Sequence, residues 1–213
     1  MVNINNVYQS VLVITNKDNR GYITPDEFNR LAEQAQNEIF ASYFAREAGY
    51  ELNAFLTSDF SDPNTYLAEK ISVFYKELAL TKLNNEFTYP DNLYRVGVVS
   101  VDDIVADRAS NEEIKYINLS PLTAPVKKQP VYTLTNTGVV VYPSTVTTGV
   151  KLDYLKQPVR PKWGYVSNGT IPYYDPTVFD PDNDSYDVAA KSYDFELHPS
   201  EENNLVVNIL NYA

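Results

Sequence analysis

The 213-residue sequence has no cysteine, one histidine and one tryptophan. Without cysteine there is no disulfide framework, no thiol nucleophile and no zinc–thiolate site. The only histidine, His198, precedes Pro199 at a predicted helix start, which favours a structural role over that of a general base. The seven glycines are scattered and form no phosphate-binding loop. We therefore predict that the protein is not an enzyme, has no catalytic residues and needs no cofactor.

Long apolar runs and a surplus of basic residues are also missing. No apolar run is long enough to span a bilayer, and the N-terminus lacks a signal pattern, so we expect no membrane partner and synthesis in the cytosol. The net charge is −11, with 17 basic against 28 acidic residues, which argues against a protein that reads nucleic acid. An acidic balance suits a wall that DNA slides past, and it equally suits ordinary solubility.

The segment from Asn16 to Phe28 is the most specific feature present, and one interpretation is a calcium loop. In the register of an EF-hand, its candidate side-chain ligands are Asn16, Asp18, Thr24 and Glu27. The match is chemically poor, since position 1 is an uncharged amide and position 5 is the cation Arg20. The prediction from these residues is therefore no metal site, with those four residues as the weak alternative.

The second interpretation is a turn that begins a long helix. Thr24 suits the N-cap, Pro25 the first helical position, and Glu27 the third position of a capping box. Apolar residues then recur at steps of three and four, which predicts an amphipathic helix over residues 25–48. These residues are Phe28, Leu31, Ala32, Ala35, Ile39, Phe40 and Tyr43.

Residues 2–48 resemble the N-terminus of neck, or ring, proteins of tailed bacteriophages, especially crAss-like phages. The matching positions are Asn16-Lys17, Gly21 through Asn29, Ala32, Ala35-Gln36 and Glu38 through Phe40. The resemblance implies a head-to-tail connector subunit of the virion, made in the host cytoplasm, that assembles as a homo-oligomeric ring, a dodecamer in such families. Its implied partners are the portal protein and neighbouring neck or tail proteins, with DNA passing non-specifically.

Helical patterns come first and strand patterns later, which predicts an α+β fold. We expect a helical subdomain over residues 1–88, with a helix from Pro63 whose apolar face continues through Phe74 and Leu78. A β-rich antiparallel subdomain is predicted over 89–160, including strands at 94–101 and 150–156. Val131–Leu134 and Val139–Tyr142 predict a hairpin around Thr135-Asn136-Thr137-Gly138. Residues 107–113 and 119–130 are predicted as loops.

Residues 161–213 are predicted to form an extended arm, rich in proline and tyrosine, and a C-terminal helix. An arm that wraps a neighbouring subunit would explain this composition, and a surface loop is the alternative. Alternate acidic residues at Asp180, Asp182, Asp184 and Asp187 suit a hard cation, but no loop motif completes them. The apolar stripe of the last helix is the candidate partner-binding surface, with core packing as the alternative; it comprises Leu205, Val206, Ile209 and Leu210.

These observations predict a structural virion protein, a neck-ring subunit joining the portal to the tail around the DNA channel. Two alternatives remain open. One is a single EF-hand-like calcium-binding module, which calcium titration would identify. The other is a capsid-decorating or glycan-binding protein, which the tyrosine-rich β region would permit.

Overall fold

The computed structural model describes residues 1–17, 23–47, 63–167, 172–178, 180 and 190–212. The chain divides into two compact units, which we call the helical unit (residues 1–73 and 158–213) and the β unit (residues 74–157). Helices precede a strand region and a final helix, so the α+β prediction is confirmed. The unit boundaries differ from the three predicted segments, because residues 74–88 belong to the β unit and residues 161–213 join the N-terminal helices.

In its described residues the helical unit contains four α-helices, numbered in chain order through the whole molecule. They are α1 (Ile4–Lys17), α2 (Pro25–Glu47), α3 (Pro63–Ser72) and α5 (Glu202–Tyr212). A 3-10 turn, Pro199–Glu201, leads into α5, which packs against α1 and α2. Strand β10 (Tyr165–Ser167) pairs antiparallel with β11 (Pro172–Tyr174).

The apolar stripe of α2 forms much of the core of this unit. Of its seven predicted members, Leu31 is half-buried and the other six are buried. On α1, Ile4, Val7 and Val11 are buried, whereas Ile14 is 38% exposed. On α5, Leu205 and Ile209 are fully buried. The helical period in the sequence therefore located the buried face of α2.

Parts of the predicted arm pack on the helices of the same unit. Val2 and Phe195 form a β-bridge, and Asp194 Oδ1 accepts a hydrogen bond of 2.9 Å from the Ile4 backbone N–H at the start of α1. Trp163 is buried, with its ring centroid 4.3 Å from that of Tyr8. At Trp163 and Phe195 the arm is therefore part of the core of the helical unit, because burying aromatic side chains is favourable, whereas Tyr173 and Val178 are 56% and 73% exposed.

The β unit contains nine strands and one short helix, α4 (Glu113–Ile117). The strands are β1 (Tyr75–Ala79), β2 (Lys82–Leu83), β3 (Glu86–Thr88), β4 (Leu93–Val101), β5 (Ile104–Val105), β6 (Asp107–Arg108), β7 (Val131–Leu134), β8 (Gly138–Tyr142) and β9 (Val150–Lys156). They form two sheets, of order β1-β9-β4-β5 and β2-β3-β8-β7-β6. Only β6 and β7 pair in parallel within the described sheets. Side chains from both sheets, such as Leu152 and Val139, share one apolar core.

The structure confirms the predicted strands β4 and β9 and the β7–β8 hairpin. Gly138 is required there, because a Cβ at that position would lie 2.2 Å from the Phe87 carbonyl oxygen. The helical face predicted through Leu78 is wrong, since α3 ends at Ser72 and Leu78 pairs with Leu152 in the sheet. Pairing with β9 overrides a helical spacing that continues by chance across the boundary.

Of the two segments predicted as loops, residues 119–130 are confirmed as a loop, whereas residues 107–113 contain short elements. Residues 107–113 include β6 and the first residue of α4, and residues 119–130 follow α4 as turns. Ser110 and Glu113 form a capping box, with the Ser110 N–H 2.8 Å from Glu113 Oε2 and the Glu113 N–H 3.2 Å from Ser110 Oγ. The Ser-x-x-Glu spacing was the sequence signal for this helix start.

Candidate interaction surfaces

The calcium interpretation depends on Glu27, and the structure places this carboxylate in a helix cap. Glu27 Oε2 accepts hydrogen bonds from the Thr24 N–H (2.9 Å) and the Thr24 hydroxyl (2.7 Å), and the Glu27 N–H donates to Thr24 Oγ1 (3.3 Å). The predicted capping box is confirmed. The hydrogen bonds from Thr24 hold the pKa of Glu27 below its usual value. Asn16 lies in the last turn of α1, and Asp18 lies outside the described residues.

The second acidic cluster is largely outside the described residues, since only Asp180 of its four members is described. Across the described ranges, no group of three or more histidine, aspartate or glutamate side chains is close enough to hold a metal ion.

Two amide side chains on α2 hold the arm, and the sequence reasoning missed both. Asn29 Oδ1 accepts a hydrogen bond from the backbone N–H of Trp163 (2.7 Å), while Asn29 Nδ2 donates one to the Trp163 carbonyl (3.2 Å). Gln36 Nε2 donates to the Val159 carbonyl (2.7 Å), and Gln36 Oε1 accepts from the Glu196 N–H (3.1 Å). The two amides are two helical turns apart on one face, so they satisfy backbone groups that no sheet pairs.

Several residues of the sequence pattern between Asn16 and Phe40 have a clear structural role. Asn29 and Gln36 bind the arm, Ala32, Ala35, Ile39 and Phe40 are buried, and Thr24 and Glu27 cap the helix. The pattern therefore specifies a capped helix with an apolar face and two amide side chains that bind the arm.

The helical unit contains a pocket of about 380 Å³ between α2, α3 and α5. Its lining includes Glu38, Ile39, Ser42, Tyr43, Lys70, Glu201, Asn204, Val207 and Asn208. The side chains of Lys70 and Glu201 form an ion pair there and are only 9% and 4% exposed. Asn204 Nδ2 donates to Glu201 Oε2 at 2.5 Å, and the Lys70 Nζ lies 6.0 Å from the centroid of the Tyr43 ring.

The charge state of this pocket follows from those contacts. Burial disfavours the Glu201 carboxylate, but hydrogen bonds from Lys70 and Asn204 and the Lys70 charge outweigh it, so the pKa of Glu201 lies below its usual value. Glu38 accepts a hydrogen bond from the Tyr212 hydroxyl, and Val207 is 55% exposed. The pocket thus combines an ion pair with an exposed carboxylate, amides and an accessible apolar side chain.

The predicted partner-binding stripe on α5 is divided by the structure. Leu205 and Ile209 are fully buried, while Val206 and Leu210 are half-buried. Leu205 and Ile209 therefore serve the core of the helical unit, as the alternative interpretation had it. His198 accepts a hydrogen bond at Nδ1 from the Ser200 N–H (3.3 Å) and so caps the 3-10 turn.

The β unit carries the most exposed apolar side chains that the structure describes. They lie in α4 and in the segment that follows it, where Tyr116 is 73%, Leu119 is 78% and Leu122 is 94% exposed. Residues 115–128 contain no acidic residue. Their basic residues are Lys115, Lys127 and Lys128. We call residues 115–128 the apolar–basic segment. The sequence predicts residues 119–130, which include most of this segment, as a loop, and its leucines and prolines do not by themselves indicate exposure.

The two units differ sharply in charge. The helical unit has 8 basic and 19 acidic residues, whereas the β unit has 9 of each. The whole net charge of −11 therefore belongs to the helical unit. In the described parts of the chain, no helix has both the length and the apolar composition to cross a bilayer. Comparison with protein-family models and with curated proteins finds no match to this chain.

Proposed function

We propose that this protein is a structural virion subunit that assembles as a homo-oligomeric neck ring between the portal and the tail of a bacteriophage. It acts by assembly rather than by catalysis, with the portal and neighbouring neck or tail proteins as partners. The observation that carries this proposal is the residue pattern from Asn16 to Phe40, which resembles ring proteins of tailed phages.

The described part of that pattern supports the proposal through its geometry. Residues 23–40 include the capping box that starts α2. They also include Asn29 and Gln36, through which this helix binds the arm. The resemblance covers the cap, the buried face and the arm-binding amides of one helix. It is stronger evidence than a match of scattered surface positions, because these residue types depend on one another.

Charge and exposed surface also support it. An acidic helical unit repels the DNA phosphates, which suits a channel through which DNA passes without binding. Ordered, exposed apolar side chains on the β unit suit protein–protein contact, because such patches mark interaction sites more often than chance surface. Catalysis by His198 is disfavoured by its hydrogen bonds to Ser200.

The test is native mass spectrometry of the purified protein, alone and with the portal protein of the same phage, in calcium and then in chelator. We expect a high-order ring, or one subunit per portal subunit, with the same stoichiometry in both buffers. A monomer that ignores portal would overturn the proposal. If that monomer also gained one calcium ion, residues 16–27 would become the functional site.

A further inference from the structure

The apolar–basic segment is ordered by its own hydrogen bonds, although its apolar side chains face solvent. The Ala124 N–H donates to the Ser120 carbonyl (3.0 Å), and the Thr123 hydroxyl donates to the Ile117 carbonyl (3.0 Å). Pro121 and Pro125 restrict the backbone further. Ile114, which is buried, anchors the preceding helix. A segment ordered in this way loses little conformational entropy when it binds.

Its chemistry specifies the surface that it fits. Leu119 and Leu122 need an apolar contact, and Lys115, Lys127 and Lys128 need carboxylates or amide oxygens nearby. The β unit offers no charge complement, since its own acidic and basic residues balance. The helical unit of a second copy does, because it has 19 acidic against 8 basic residues.

Within the described helical unit, the pocket between α2, α3 and α5 combines the two required features. Val207, which is 55% exposed, supplies apolar surface beside the carboxylate of Glu38. Ser42, Asn204 and Asn208 add polar atoms to the lining. The volume of about 380 Å³ leaves room for a side chain from outside.

We propose that the apolar–basic segment of one copy docks at this pocket of the next copy, so that each subunit contributes both halves of a head-to-tail contact. This inference rests on the proposed ring. A contact between two different surfaces of the same chain is the kind that generates a closed ring when the rotation between copies closes.

The experiment measures the assembly concentration of the full chain by native mass spectrometry, in the presence of portal, for matched variants. Leu119→Ser with Leu122→Ser, and separately Lys127→Glu with Lys128→Glu, should raise the half-assembly concentration about tenfold or more. All four side chains are exposed, so the monomers should stay folded, as circular dichroism can check. Leu83→Ser, at a side chain 61% exposed elsewhere in the β unit, is the control and should change assembly less than about twofold.

A charge-reversal variant tests the receiving surface. Glu38→Lys added to the Lys127→Glu and Lys128→Glu variant should recover assembly, whereas Glu69→Lys, at an exposed residue of α3 outside the pocket lining, should not. Rings that form normally with the segment variants would overturn this inference and leave the neck-ring function standing. Segment variants that still form rings but no longer bind the portal protein would also overturn it, because the segment would then bind portal rather than a second copy. A wild-type monomer that ignores portal would overturn both.

Discussion

The two units bury different kinds of side chain. The β unit has a mainly apolar core, formed by residues such as Phe87, Val139 and Leu152, and its buried polar side chains are Thr133 and Lys156. The helical unit buries several polar and charged side chains, and these are Thr15, Asn29, Gln36, Lys70, Lys162, Ser192, Glu196 and Glu201. Backbone pairing explains the difference. Sheets satisfy their own N–H and C=O groups, whereas an arm without regular structure needs side chains to do so.

Glu196 is an example of a buried side chain that satisfies a backbone N–H group outside the sheets. Its Oε2 accepts from the Val159 N–H (3.0 Å), its Oε1 accepts from the Tyr193 hydroxyl (2.9 Å), and it is only 2% exposed. The helical unit is therefore expected to be the one whose stability depends on charge and on specific polar partners, and the β unit the one that depends on volume and apolar contact.

The largest effect that separates the units should come from the buried ion pair. Lys70→Ala leaves the Glu201 carboxylate buried without its cation, and we expect the free energy of unfolding to fall by about 3–5 kcal/mol. Urea unfolding followed by fluorescence of Trp163, the single tryptophan, reports the helical unit. Lys70→Met with Glu201→Leu is the matched control and should cost less, because it removes both charges. A loss below about 1 kcal/mol for Lys70→Ala would mean that solvent screens the pair.

A cavity in the β unit should give the reverse pattern. Phe87 is only 1% exposed, so Phe87→Ala leaves a cavity in the core. We expect the free energy of unfolding to fall by about 3–5 kcal/mol. Circular dichroism in the far ultraviolet should show early loss of β structure, while the Trp163 transition keeps its midpoint. Leu83→Ala, at an exposed side chain, should stay within about 0.5 kcal/mol of wild type. Equal shifts of both signals would show that the units unfold as one.

Acid should weaken the helical unit through Glu201. Burial opposes its ionisation, yet its hydrogen bonds and the Lys70 charge leave its pKa below the usual value of 4.5. A pKa lowered by folding contributes stability above the unfolded-state pKa, and this contribution is lost as the pH falls through the folded-state pKa. Urea midpoints from Trp163 fluorescence should therefore fall as the pH drops below about 4.5. Glu201→Gln lacks this titration and should show a flatter profile, and identical profiles would contradict the assignment.

The smallest effect is expected at the helix cap. Thr24→Ala removes the hydroxyl that exchanges hydrogen bonds with Glu27 and should cost about 0.5–2 kcal/mol. Thr24→Ser keeps the hydroxyl and is the control. Thermal unfolding of both variants, monitored at 222 nm for helix, measures the difference. Equal stability of the Ala and Ser variants would show that the cap contributes nothing beyond the helix dipole.

The helical faces and the main strands could be predicted because local periods encode them. The stripe on α2, the cap at Thr24 and the strand pattern of β9 all depend on residues only a few positions apart. The prediction went wrong at Leu78, where a helical spacing ran into a segment that pairs with residues more than seventy positions later. No local pattern carries that information.

The contact sites were less predictable than the elements. The stripe on α5 was visible, but burial of Leu205 and Ile209 depends on the neighbouring helices rather than on the stripe itself. The partners of Asn29 and Gln36 are more than one hundred residues away, so these amides looked like ordinary surface positions. Exposure of Leu122 became visible only in the folded chain.

By itself, the sequence determined the fold class, the start of α2, its buried face and the acidic character of the chain, because local propensity, period and composition are properties of neighbouring residues. Only the tertiary structure decided which segments share a unit, which polar side chains are buried together, and which apolar side chains remain exposed. Those outcomes depend on contacts between distant parts of the chain, and the satisfaction of every buried polar group is decided there.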